Sequence, residues 1–91
     1  NGYLTPAERQ IAPILNQVMQ ETADQIRGGK PVDTILSQAC RKILASGFSA
    51  IDYFSYCDAQ TLANADSHIE TGMLLAAIHL GNVRLIDQLK V

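Results

Sequence analysis

The chain has 91 residues, 47% of them hydrophobic and 18% charged, with a formal net charge of −2. That is the size and composition of one soluble-type globular domain with a thin stability margin, since so short a chain buries only about two-thirds of its unfolded surface. The slight acidity and the scattered Lys and Arg, whose longest run is Arg41-Lys42, argue against a nucleic-acid partner, and no apolar run approaches the roughly 18 residues of a membrane helix.

Thr5-Pro6-Ala7-Glu8 predicts a helix start. Thr5 can cap the free amides, Glu8 can reach back to the Thr5 amide, and proline is tolerated at the first helical position. Ile11, Ile14, Leu15, Val18, Met19, Thr22 and Ile26 follow at helical spacing, and Gly28-Gly29 ends the run. Pro13 lies inside it and would remove one hydrogen bond while crowding the Arg9 carbonyl. A kink or a split first turn is expected there.

A second helix is predicted to begin at Pro31, with an inward stripe of Val32, Ile35, Leu36, Ala39, Cys40, Ile43 and Leu44. It stops at Ser46-Gly47, where Phe48 can fold back on Ile43. The short link makes the two helices an antiparallel pair.

The period then changes from 3.6 to 2. Residues 49–57 favour a strand, with Ile51, Tyr53, Ser55 and Cys57 facing one way and Asp52, Phe54 and Tyr56 the other. Asp58 should cap a turn through Leu62, and residues 63–71 read as a polar loop. Residues 73–80 and 83–89, joined by Gly81-Asn82, read as a β-hairpin, because both turn residues tolerate positive φ. The order α-α-β-β-β implies an α+β domain: an antiparallel helical pair packed on a three-stranded antiparallel sheet.

Only weak constellations of chemistry-bearing residues occur. Cys57, His79 and Asp58 could be drawn as nucleophile, base and orienting group, but the motifs around a reactive cysteine are missing. His68 and His79 lack metal-ligand spacing. Asp52, Asp58, Asp66 and Glu70 read as caps or solvated carboxylates, and Arg84 as a surface ion-pair partner rather than an anion site. Cys40 and Cys57 read as reduced core residues. These residues therefore suggest an accessory or interaction domain: no catalytic, cofactor-binding or metal-binding residue is assigned. The chain opens on Asn1 rather than Met. The expectation is either that disordered or processed residues precede it or that a larger protein has been cut there, and nothing in the first residues reads as a tag or a signal.

Taken together, several segments resemble the carboxy-terminal domain of the pantothenate synthetase (pantoate–β-alanine ligase) family. They are Asn1-Gly2-Tyr3-Leu4-Thr5, Glu8-Arg9 with Ile11-Ala12-Pro13, Ile51-Asp52-Tyr53, Asp58 with Thr61-Leu62, Leu75-Ala76-Ala77, and Gly81 with Arg84-Leu85-Ile86-Asp87. The resemblance implies a parent enzyme of the vitamin B5 and coenzyme A pathway, cytoplasmic and homodimeric, which uses ATP and Mg2+ to form pantoyl adenylate before β-alanine displaces AMP. It also implies that residues 1–91 are a lid, that the amino-terminal nucleotide-binding domain is the lid's partner and lies outside the chain, and that Asn1 only adjoins that domain's nucleotide-contacting Ser-Ser-Arg motif. The lid would hinge near Asn1–Leu4, where Gly2 permits rotation. Gln88 and His79 depart from the residues usual in the family, and no catalytic role transfers to any position. The chain by itself is expected to be inactive and to bind neither ATP nor pantoate. A free-standing protein–protein interaction module is the alternative, and a small cysteine hydrolase a third reading.

Overall fold

A computed structural model describes residues 3–91. The expectations for Asn1 and Gly2, including the hinge and the neighbouring nucleotide motif, lie outside these residues. The elements are α1 (Pro6–Arg27), α2 (Val32–Ala45), β1 (Ala50–Asp58), β2 (Gly72–Leu80) and β3 (Val83–Lys90). The strands form one antiparallel sheet in the order β1-β2-β3. The predicted α+β architecture is the observed one. Among the described residues no helix is long and apolar enough to cross a membrane.

The start of α1 is a complete capping box. The Glu8 amide donates to Thr5 Oγ1 at 3.2 Å, and the Thr5 amide donates to Glu8 Oε1 at 2.9 Å. The free amides at the helix start are thereby partly satisfied. The helix then runs unbroken through Pro13, so the proline does not split it. Leu15, Val18, Met19, Ala23 and Ile26 are buried, and the buried Thr22 hydroxyl donates to the Val18 carbonyl at 2.7 Å. At the far end, Arg27 Nη2 donates to the Lys90 carbonyl at 3.2 Å, tying α1 to β3.

The apolar stripe of α2 is narrower than predicted. Val32, Ile35, Ala39 and Ile43 are buried, Leu36 and Cys40 are half-buried, and Leu44 is exposed. The reason is placement. α1 lies over β2 and β3, whereas α2 lies over β1 at the sheet's edge, so one flank of α2 has no sheet beneath it. Phe48 is buried after the Ser46-Gly47 stop, as expected.

The core fills the space between helices and sheet. Leu74, Ala76, Ile78 and Leu80 of β2 face the helices, with Phe54 and Tyr56 of β1 beside them. The Tyr56 side chain ends against Gly72, where any β-carbon would overlap its hydroxyl and ring. That hydroxyl accepts from the Ile69 amide at 3.1 Å, with the Ile69 and Val91 carbonyls at 3.3 and 3.4 Å as acceptors for its hydrogen. The loop before β2 and the end of the chain are both held by this one group.

Candidate functional site

The most developed polar constellation sits on the face of the sheet away from the helices, and a β-bulge creates it. Ile51 pairs with Ile78 and Tyr53 with Ala77, so the register slips by one residue at Asp52. Such an extra residue kinks a strand and re-aims a side chain. Ile51, Phe54 and Tyr56 therefore all face the core, and Asp52 turns outward with Tyr53. This corrects the predicted alternation, which grouped Ile51 with Tyr53 on one face and Asp52 with Phe54 and Tyr56 on the other.

Turned outward, Asp52 meets a cross-strand pair. His79 of β2 and Arg84 of β3 are register partners on either side of the Gly81-Asn82 turn. Asp52 Oδ2 accepts from Arg84 Nε at 2.8 Å and from His79 Nε2 at 2.9 Å. The Arg84 hydrogen bond first, and the His79 hydrogen bond second, hold the Asp52 carboxyl below the usual carboxylate range, against a smaller opposing effect of burial. All three side chains remain 36–46% exposed. Arg84 is the surface ion-pair partner that the sequence suggested.

The turn itself uses positive φ at Gly81 alone (φ 59°), not at both residues, as in a hairpin turn with glycine at its first central position. Gly81 also lies against the Glu8 carboxylate, which brings the start of α1 to the same end of the domain as the Asp52 cluster.

The other constellations do not assemble. Cys57 pairs with Met73 and Ala50 pairs with His79, which separates Cys57 from His79 by most of the sheet's length, roughly 20 Å at strand rise. Cys57 is buried and unbonded to sulfur, as is the half-buried Cys40, whose thiol is pushed up by burial. Asp58 is occupied as a turn cap: its Oδ1 accepts from the amides of Gln60 at 2.8 Å and Thr61 at 3.4 Å, and its Oδ2 from the Thr71 hydroxyl at 3.1 Å. The Gln60 bond foremost, then those from Thr71 and Thr61, lower its pKa against the effect of burial. His68 is exposed in the loop. No three metal-ligating side chains converge among the described residues. A cleft of about 110 Å³ lined by Asp33, Leu36, Ser55, Tyr56, Asn64 and Ala65 is well below the several hundred Å³ of a nucleotide-sized pocket.

Comparison with known proteins gives this geometry its setting. The family model described as pantoate-beta-alanine ligase matches residues 1–90. Curated relatives include the pantothenate synthetase of Shewanella sp. (strain ANA-3), 39% identical over 99% of this chain and 32% of its own length. That of Rhodopseudomonas palustris (strain HaA2) is 42% identical over 100% of this chain and 32% of its own. The crystal structure of pantothenate synthetase from Thermus thermophilus superposes with a TM-score of 0.75 at 30% identity, covering 97% of this chain and 32% of that one. The chain thus spans about a third of the length of the relatives it matches. By a match that runs from residue 1 to residue 90, over the helical pair, the bulged strand and the closing hairpin alike, this chain belongs to the pantoate-beta-alanine ligase family.

Proposed function

We propose that residues 1–91 form the carboxy-terminal lid domain of an AMP-forming pantoate–β-alanine ligase. The observation that carries this reading is a family match over nearly the whole chain combined with coverage of only about a third of each relative. It favours a ligase domain over a free-standing interaction module.

In the reaction, a carboxylate oxygen of pantoate attacks the α-phosphorus of ATP and pyrophosphate leaves. The amine of β-alanine then attacks the acyl carbon of the adenylate, AMP departs with the bonding electron pair, and the amine loses a proton to give the amide of pantothenate. On this reading Mg2+ and ATP bind the remainder of the parent, and no catalytic step is assigned to residues 1–91. The lid's contribution is to exclude water from an acyl adenylate that water would otherwise hydrolyse. Such a parent would work in the cytoplasm.

The test compares the full-length parent with a version truncated before Thr5, supplied with ATP, Mg2+, pantoate and β-alanine. The full-length protein is expected to release one AMP per pantothenate, and the truncated one to release excess AMP or none. A truncated enzyme with full rate and one-to-one coupling would overturn the lid role.

A further inference from the structure

We propose that the open face of the sheet, centred on the cross-strand row Tyr53–Ala77–Ile86, is the surface that docks on the remainder of the parent ligase. The proposal rests on the ligase reading. It commits to one occupant, the two-thirds of the relatives' length that lies outside this chain.

The two broad faces of the domain differ in kind. The outward side of α1 is polar, with Gln10, Gln17, Gln20, Glu21 and Asp24 all exposed. The sheet's open face is apolar at its centre. Tyr53 pairs with Ala77, and Ala77 with Ile86. Ala77 is fully covered by its neighbours, whereas Tyr53 is 40% and Ile86 64% exposed. A small residue between two large exposed ones forms a shallow saddle across the three strands, a shape that accepts an apolar anchor. The next row toward the hairpin turn is polar, His79 and Arg84 with Asp52 held between them. An apolar centre bordered by charge is the anatomy of a protein interface, and interdomain contacts are more polar than obligate ones. The polar row also lies at the end of the domain where α1 begins, since Glu8 rests on Gly81. The chain leading into α1 therefore arrives at the same end of the domain as this polar row.

The experiment uses the full-length parent carrying Ile86→Cys, Gln88→Cys or Leu44→Cys, each checked for native circular dichroism. Labelling by a maleimide is followed site by site by mass spectrometry, with and without ATP and pantoate. Leu44 is 49% exposed on the flank of α2 and serves as the reference. Cysteines at 86 and 88 are expected to label at least tenfold more slowly than at 44, either always or once substrates are present. Equal rates under both conditions, or protection of position 44 instead, would overturn the proposal. Because labelling without substrates needs no turnover, this result is separable from failure of the coupling assay.

Discussion

Glu8 and Gly81 touch across the domain: the carboxylate that closes the capping box on α1 also occupies the space a side chain at Gly81 would need. One side chain thus serves both the helix start and the hairpin tip. Gly81→Ala would bring two costs. The left-handed backbone at φ 59° disfavours an L-residue by about 1–2 kcal/mol, and displacing Glu8 weakens a cap contribution of about 1 kcal/mol. Thermal unfolding should show a loss of about 2–3 kcal/mol, and Glu8→Ala combined with Gly81→Ala should cost less than the sum of the single changes, because the two share one contact. Additive losses would show that the hairpin tip and the cap are independent.

Gly72 and Tyr56 make a second such pair, inside the core. A methyl group at Gly72 would overlap both the Tyr56 hydroxyl and its ring. Tyr56→Phe removes the hydroxyl and leaves the Ile69 amide without its partner, which should cost about 1–3 kcal/mol. Gly72→Ala should cost about as much or more through overpacking, on the order of 1–3 kcal/mol plus the lost hydroxyl geometry. Adding Tyr56→Phe should not rescue it, because the ring itself stands in the way. A double variant with the urea midpoint of Tyr56→Phe alone would show that only the hydroxyl clashes.

Much of this architecture is legible in the sequence, for identifiable reasons. Thr5-Pro6-x-Glu8 is a local signal, read within one turn, and it produces the observed box. The hairpin is legible because Gly81-Asn82 sits between two apolar runs. The outward face of β1 is not, because simple alternation counts straight through Asp52. The clue lies in Ile51, Phe54 and Tyr56, three large apolar residues spaced three and then two apart, which a regular strand cannot place on one side. The Asp52–His79–Arg84 cluster is hidden for the same reason, since it needs both the bulge and the cross-strand register, and neither is local. Leu44 reads as core because a stripe says which side of a helix is apolar, not where the sheet beneath it ends.

The two bonded carboxylates predict an acid-sensitive fold. Asp52 and Asp58 both have folded pKa values below the ordinary 3.8, so the unfolded chain binds protons more readily than the folded one at low pH. Their stabilising contribution is complete above the unfolded value and fades as pH falls through the folded values. The urea midpoint should be flat from pH 7 to about 5 and fall below about pH 4. Asp58→Asn should flatten that fall while lowering the plateau, because an amide oxygen accepts more weakly from the Gln60 and Thr61 amides. A midpoint that rises on acidification would contradict the direction of both shifts.

Leu62 offers the opposite kind of test, a substitution expected to stabilise. It ends the turn capped by Asp58, donating its amide to the Asp58 carbonyl at 2.7 Å, and it holds φ 63° although it is not glycine. It is also 68% exposed, so little burial offsets the conformational cost. Asparagine visits the left-handed region far more readily than leucine and, unlike glycine, does not add the full backbone freedom of the unfolded chain. Leu62→Asn should therefore raise stability by about 0.5–1 kcal/mol, a few degrees in Tm for a domain this size. If the melting temperature instead falls, the leucine side chain is contributing more packing than its exposure indicates. In the full-length parent the sign carries further information: stabilisation of this chain alone, with destabilisation of the parent, would place Leu62 in a contact with the part of the ligase beyond these residues.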